Sequence, residues 1–436
     1  MSTAQLDRAA PAAADTRAGV LNRVGRLRHT SPGRLQLILA ALVVLALLTG
    51  LVAGLTAASA ANGTDDLGNR AQPLLVEAET IYSKLADADT TAAQAFLAGG
   101  LEPTALTDRY EDDLNQATTA LTSAARRTPE RGRSADAIRR LSADVTRYAG
   151  LVSSARANNR QGLPIGASYL AAASTLSRES LQPQAQALLQ AARSEVDDGY
   201  RAARSSWWTA LLVILLIVLL AALLRAQLHL SRTTRRTFNV PLVAATAVTA
   251  VLALAVGGML IAQRAHLSNA DTEGSRPVAL LAEARIAALR ERGDEALTLV
   301  ARSGEGTPEP GKLTLEQDFA ATTGRLNDLL TDAGVQDAIP GHLAYVSAHR
   351  QVRKLDNGGD YDGAVALAIG ARTTQTFTGL TDAIGEELDD RKDVFSDEIG
   401  HAGRGLGPLI VLGPLLALIV CGLAVAGLRA RLEEYR

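Results

Sequence analysis

Six histidines and one cysteine are the side chains of this 436-residue chain best suited to act as bases, nucleophiles or soft metal ligands. Their spacing gives them no shared task. His342 and His349 are seven apart, about two helical turns, so they share a helix face that could suit a metal ion. No carboxylate or thiol set at ligand spacing accompanies them, and the sequence favours histidines that line a bundle or meet solvent. His29, His229, His266 and His401 are scattered, and Cys421 sits alone in an apolar run, so no intrachain disulfide can form. Acidic clusters occur at Glu111-Asp112-Asp113, Asp197-Asp198 and Glu386-Glu387 with Asp389-Asp390, where a solvated face is a simpler reading than cation binding. There is no phosphate-cradling glycine loop, no HExxH, no CxxC and no nucleophile elbow. The chain is therefore expected to be no enzyme, to hold no metal or cofactor, and to bind no nucleic acid.

What the sequence does specify is a membrane architecture. Four apolar runs, 35–60, 207–225, 240–262 and 408–428, are each about long enough to cross a ~30 Å hydrocarbon core as a helix. The first could be taken for a cleaved signal, but it is too long for a signal h-region and reads as a retained span. Gly50 and Gly54 within it are spaced for close helix packing. None of the spans carries an ionisable residue in its core, which argues against a coupled transporter. The arginines of the leader 1–34, of the turn 226–239 and of the tail 429–436 have few acids beside them. The segments 61–206 and 263–407 are rich in acids. Positive residues stay inside, so both termini are expected in the cytoplasm, both large segments outside, and the leader disordered.

Both large segments read as helix throughout. Leu74, Ala78, Ile81, Leu85, Ala88, Ala92 and Ala95 follow a 4-3-4-3 spacing, as do Ile138, Leu141, Val145, Tyr148, Val152 and Ala155. Such stripes favour bundles with shallow crossing angles. Breaks near Gly99-Gly100, 128–132 and 158–164 divide the first segment into four helices, and Pro183 should kink the last. Breaks at 304–311, 334–340 and 357–360 divide the second likewise. At an offset of 204, Pro73 meets Pro277, Glu79 meets Glu283 and Leu85 meets Leu289; later, at 198, Asn159 meets Asn357. The fold class is thus an all-α membrane protein: four transmembrane helices and two extracytoplasmic antiparallel four-helix bundles in tandem repeat.

Two surfaces are candidates for recognition. Outside, the polar turns holding Asn158, Asn159, Asn357 and Asp360 are either capping turns or a docking surface for a ligand or partner. Inside, Arg225, Arg232, Arg235 and Arg236 form a basic surface for a cytoplasmic partner. Because the cytoplasmic segments are short, any signal would have to leave through a recruited protein.

Span–four helices–span resembles the sensor modules of bacterial chemoreceptors and histidine kinases, and Leu355–Ala368 (LDNGGDYDGAVALA) looks like the junction between their third and fourth helices. Two such copies on four spans look more like the actinobacterial GlnX-type membrane proteins. That resemblance implies a relay in the plasma membrane between an extracytoplasmic solute-binding lipoprotein and a cytosolic Ser/Thr kinase. It is also consistent with a homodimer. A non-sensing scaffold of the cell envelope is the alternative. Reporter fusions should place Glu111 and Asp389 on one side of the membrane and Arg235 on the other; a shared side would overturn this topology.

Overall fold

A computed structural model of the chain describes residues 31–100, 102–129, 131–204, 207–234, 239–302 and 313–432. The leader before Ser31, Arg235, Arg236 and the whole of the expected break at 304–311 lie outside the described residues. Among those described there are only helices and turns, with no strand. The chain forms two compact units. One comprises Met1–Asn62, Ala203–Gln263 and Gly403–Arg436 and contains the apolar spans. The other comprises Gly63–Ala202 and Arg264–Ala402 and contains the two large segments read from sequence as repeats.

In the span unit, α1 is Ser31–Asp66, α7 is Trp207–Thr234, α8 is Val240–Asn269 and α14 is Leu406–Leu432. Each contains a stretch long and apolar enough to cross a membrane, which makes this an all-α, multi-pass membrane protein. Large apolar side chains such as Leu51, Ile217, Leu254 and Leu418 are exposed, as lipid-facing positions must be. Buried Thr49, Thr56 and Thr249 donate to the carbonyls of Leu45, Val52 and Ala245 one turn back, so these three hydroxyls are paired within their own helices.

The expected turn at 226–239 proves much shorter. Helix α7 continues to Thr234 and α8 begins at Val240. Gln227 explains part of this, since its amide donates to Leu242 O at 2.9 Å and Thr246 Oγ1 at 2.6 Å, tying α7 to α8 beyond the apolar stretch. The Gly50/Gly54 spacing does mark a close helix contact. A Cβ at Gly50 would collide with Ala417 Cβ, and one at Gly54 would lie 3.3 Å from the Pro414 ring on α14.

The first repeat is α2 (Gln72–Leu97), α3 (Thr104–Arg127), α4 (Arg133–Arg160), α5 (Ile165–Leu176) and α6 (Gln182–Arg204). The second is α9 (Arg276–Ala301), α10 (Leu315–Asp332), α11 (Ile339–Asn357), α12 (Tyr361–Ala368) and α13 (Ala371–Gly403). The heptad-like stripes are buried as expected: Leu74, Ala78, Ile81, Leu85, Ala88, Ala92 and Ala95 on α2, and Ile138 through Ala155 on α4. Phe319, Leu326, Tyr345, Phe377, Leu380 and Ile384 build the second core, and Ala86 from the first repeat packs into it.

The kink expected at Pro183 takes a specific form. A π-helical turn, Ser177–Leu181, precedes it by two residues. The same device recurs at Leu67–Ala71 before Pro73 and at Ala270–Ser275 before Pro277. Proline cannot donate its backbone nitrogen, and its ring crowds the carbonyl one turn back; a widened turn relieves both. At the third of these, Gly274 is needed for space, because a Cβ there would lie 2.8 Å from Phe395 Cα.

Gly50→Val should lower the melting temperature of the full chain in detergent, at a cost of about 1–3 kcal/mol for overpacking. Gly257→Val, at a position with open space around the missing Cβ, should not. Equal behaviour of the two variants would refute tight packing of α1 on α14.

Candidate functional site

The polar turns singled out from sequence are used by the fold as caps. Asn159 Nδ2 donates to Phe96 O at 3.0 Å, closing the C-terminal end of α2, and Asn158 Nδ2 donates to Ser154 O at 2.8 Å. Asp360 Oδ1 accepts from Gly363 N at 3.0 Å as the N-cap of α12, and Asn357 Oδ1 accepts from Arg353 at 3.2 Å. Each therefore has local structural work within its own repeat. Arg225 is exposed on α7, and Arg232 lies in the same helix.

The unusual chemistry lies elsewhere, where α2 packs against α9. A helix that leads a bundle should show one buried stripe and a solvated back. These two are buried almost all round. Glu79, Asp87 and Asp89 on α2 are enclosed, as are Glu291, Arg292, Asp294 and Glu295 on α9. Small residues allow this closeness: Ala86 and Ala88 on α2, and Ala284, Ala287 and Ala288 on α9. Thr90 Oγ1 donates to Leu289 O at 3.0 Å, directly joining the two helices.

Buried carboxylates need partners, and along this seam four of the ion pairs join one repeat to the other. Arg178, in the π turn before α6, lies 2.5 Å from Asp294 Oδ1. Arg285 on α9 reaches Asp87 at 3.2 Å, with Arg109 of the first repeat on its other oxygen at 2.9 Å. Lys392 on α13 pairs with Glu79 at 2.9 Å, and Arg193 on α6 pairs with Glu283 at 3.3 Å. The last two form a reciprocal set. Glu79 and Glu283 are equivalent by sequence offset, and each is met by a base from the last long helix of the opposite repeat. Asp113, expected on a solvated face, is instead buried against Lys84 at 2.9 Å, because α3 turns that position inward.

Two groups in this region titrate far from their usual range. Burial pushes the Asp294 carboxyl up to about 7, with Arg178 opposing the shift and Asp318 adding to it. Burial alone would lower His349, but hydrogen bonds to Glu295 and Glu316 overcome it and hold the imidazole up to about 9. His349 Nδ1 lies 3.0 Å from Glu295 Oε2, and its ring stacks on Phe319. His342 is wholly enclosed, between Glu291 at 3.0 Å and Asn327 at 2.9 Å. Both histidines thus line the bundle, each paired with an α9 carboxylate. Asp89 is also pushed up by burial, and Tyr148 and Ser174 donate to it at 3.2 Å. Among the described residues no cluster of three or more His, Cys, Asp or Glu could hold a metal ion.

At one edge of the seam lies a cavity of about 390 Å³. Leu75 and Val196 supply apolar lining, while Arg193, Asp197, Asp271 and Arg276 supply charge of both signs. A signal for the seam was present in the sequence: charged residues fall between the apolar positions along the middle turns of α2 and α9. That pattern is indistinguishable from a solvated face until the partner helix is placed.

Residues 63–201 match the family described as Actinobacterial sensor domain, a stretch that covers the first repeat. No curated protein and no solved structure matches the chain. The family match supports an actinobacterial sensor protein and a sensor role.

The folded state binds the Asp294 and His349 protons more tightly than the unfolded chain does. Each group therefore stabilises the fold at low pH and loses that contribution as pH rises. For Asp294 the loss runs from about 4 to about 7, and for His349 from about 6.5 to about 9. The melting temperature of wild type, relative to His349→Gln, should fall as pH is raised from 6.5 to 9. Relative to Asp294→Asn it should fall between pH 4 and 7. Differences that do not vary with pH would contradict the assigned environments.

Proposed function

We propose that this protein is a membrane sensor and signal relay in which a stimulus on the extracytoplasmic side changes how the two repeats pack along α2 and α9. The observation that carries this reading is the seam itself, within a unit whose first repeat matches a sensor family. A dry apolar interface has one favoured packing and resists sliding. A seam of small residues and cross-repeat ion pairs has partners that can be exchanged, and the adjoining cavity gives a small molecule or a docked protein a place to favour one arrangement. Binding shifts the equilibrium only by its differential affinity for the two packings. The arginine distribution favours the helical unit outside and the α7–α8 connection inside.

The relay reading then assigns the output to a cytosolic partner recruited at the basic stretch of sequence that includes Arg232, Arg235 and Arg236. Following the family resemblance, an extracytoplasmic solute-binding lipoprotein is the upstream partner and a Ser/Thr kinase the downstream one. The spans hold no acidic residue, so small axial or tilting movements expose no buried carboxylate to lipid.

The test uses crosslinking to cytosolic proteins in intact cells. Replacing Arg232, Arg235 and Arg236 together by Ala should abolish recruitment while leaving the thermal unfolding of the full chain unchanged. Arg193→Gln with Lys392→Gln, which removes the reciprocal pairs but leaves the turn intact, should change the amount recruited. Recruitment indifferent to both sets would contradict the relay and favour a scaffold.

A further inference from the structure

The span unit holds a groove of about 520 Å³ between α1 and α7, within the size range of small-molecule and cofactor sites. Ile38, Leu42 and Leu45 of α1 and Ala222 of α7 give it apolar walls, and Arg225 and His229 also line it. The helices run antiparallel: residues near 35–46 share a cluster with 219–230, and those near 52–57 share one with 212–216. The N-terminal end of α1 therefore lies beside the C-terminal end of α7. Arg225 and His229 sit one and two turns beyond Ala222, just past the charge-free stretch that ends at Leu224. The groove is thus apolar toward the bilayer centre and basic at the level where the spans reach the headgroups.

No Asp or Glu occurs in 31–64, 207–263 or 403–432. The spans thus offer no carboxylate to meet a ligand's ammonium group, while the guanidinium of Arg225 suits a phosphate. The cationic end of a zwitterionic lipid finds no carboxylate within these segments. An anionic lipid leaves nothing unmatched.

We propose that this groove is a binding site for an anionic phospholipid, with the phosphate held by Arg225 and His229 and an acyl chain laid along Ile38, Leu42 and Leu45. Basic pockets between spans at a membrane surface have this general affinity, worth ~1 kcal/mol per basic side chain, or about fivefold each. The site is independent of the relay reading. It would let membrane composition bear directly on the α1–α7 contact.

The experiment is native mass spectrometry of the full-length protein in detergent, with phosphatidylglycerol or phosphatidylcholine of matched chains added. Wild type should retain phosphatidylglycerol over phosphatidylcholine by at least about fivefold. Arg225→Gln with His229→Gln should reduce this to parity, whereas Arg225→Lys with His229 intact should preserve most of it. Ala41→Trp, which fills the groove from an exposed lining position and keeps both charges, should also lower phosphatidylglycerol retention. Equal retention of the two lipids by wild type would overturn the proposal. So would a phosphatidylglycerol preference that survives Ala41→Trp, since that places the lipid on the surface arginines instead.

Discussion

The structure depends on one constraint: α2 and α9 approach closely enough to enclose charged side chains that neither repeat can satisfy alone. The cost of removing a carboxylate from water is several kcal/mol even after relaxation. Asp294 and Glu79 meet it with Arg178 and Lys392 from the other half of the chain, and Asp87 receives Arg285 as well as its own repeat's Arg109. Removing either member of such a buried pair strands the other, at a cost of about 3–5 kcal/mol. Each repeat is therefore folded in the environment the other provides. That is why Gly63–Ala202 and Arg264–Ala402 make one unit although a span connection separates them in sequence.

The similar helix order of the two large segments helps to account for how such a seam is assembled. Pro73 and Pro277 stand at equivalent places, each two residues after a π-helical turn. A wide turn followed by a proline thus leads into both α2 and α9. Equivalent helices entering in the same manner can pack about an approximate two-fold relation, and the reciprocal Lys392–Glu79 and Arg193–Glu283 pairs follow that relation. The third π turn has no described counterpart in the second repeat, and it carries Arg178. The halves thus differ at the position that supplies the cation for Asp294.

Much of this was legible in the sequence. Apolar runs located the four spans, and apolar spacing located the buried stripes of α2 and α4, because a 3.5-residue repeat has few other uses. Gly50 and Gly54 announced a close helix contact, and α14 provides it. What periodicity could not show was the second buried face of α2 and α9. Glu79, Asp87 and Asp294 occupy positions that, in an isolated four-helix bundle, would meet water, and nothing local distinguishes a charge that faces solvent from one that faces a base a hundred or more residues away. The same limit applies to Asp113. The capping asparagines Asn158 and Asn159 were ambiguous for a different reason: polarity at a helix junction serves either a cap or a partner, and here the hydrogen bonds are local.

The most direct measurement of the α2–α9 seam is a disulfide across it. A Cβ at Gly293 would lie 3.5 Å from Thr90 Oγ1, close enough for the two positions, as cysteines, to bridge with little backbone movement. In native membranes, with Cys421→Ser removing the sole other thiol, Thr90→Cys and Gly293→Cys should form an intrachain disulfide on mild oxidation, seen as a faster-migrating monomer. A chain that stays reduced, or that bridges only to a second copy, would contradict the pairing of the two repeats described here.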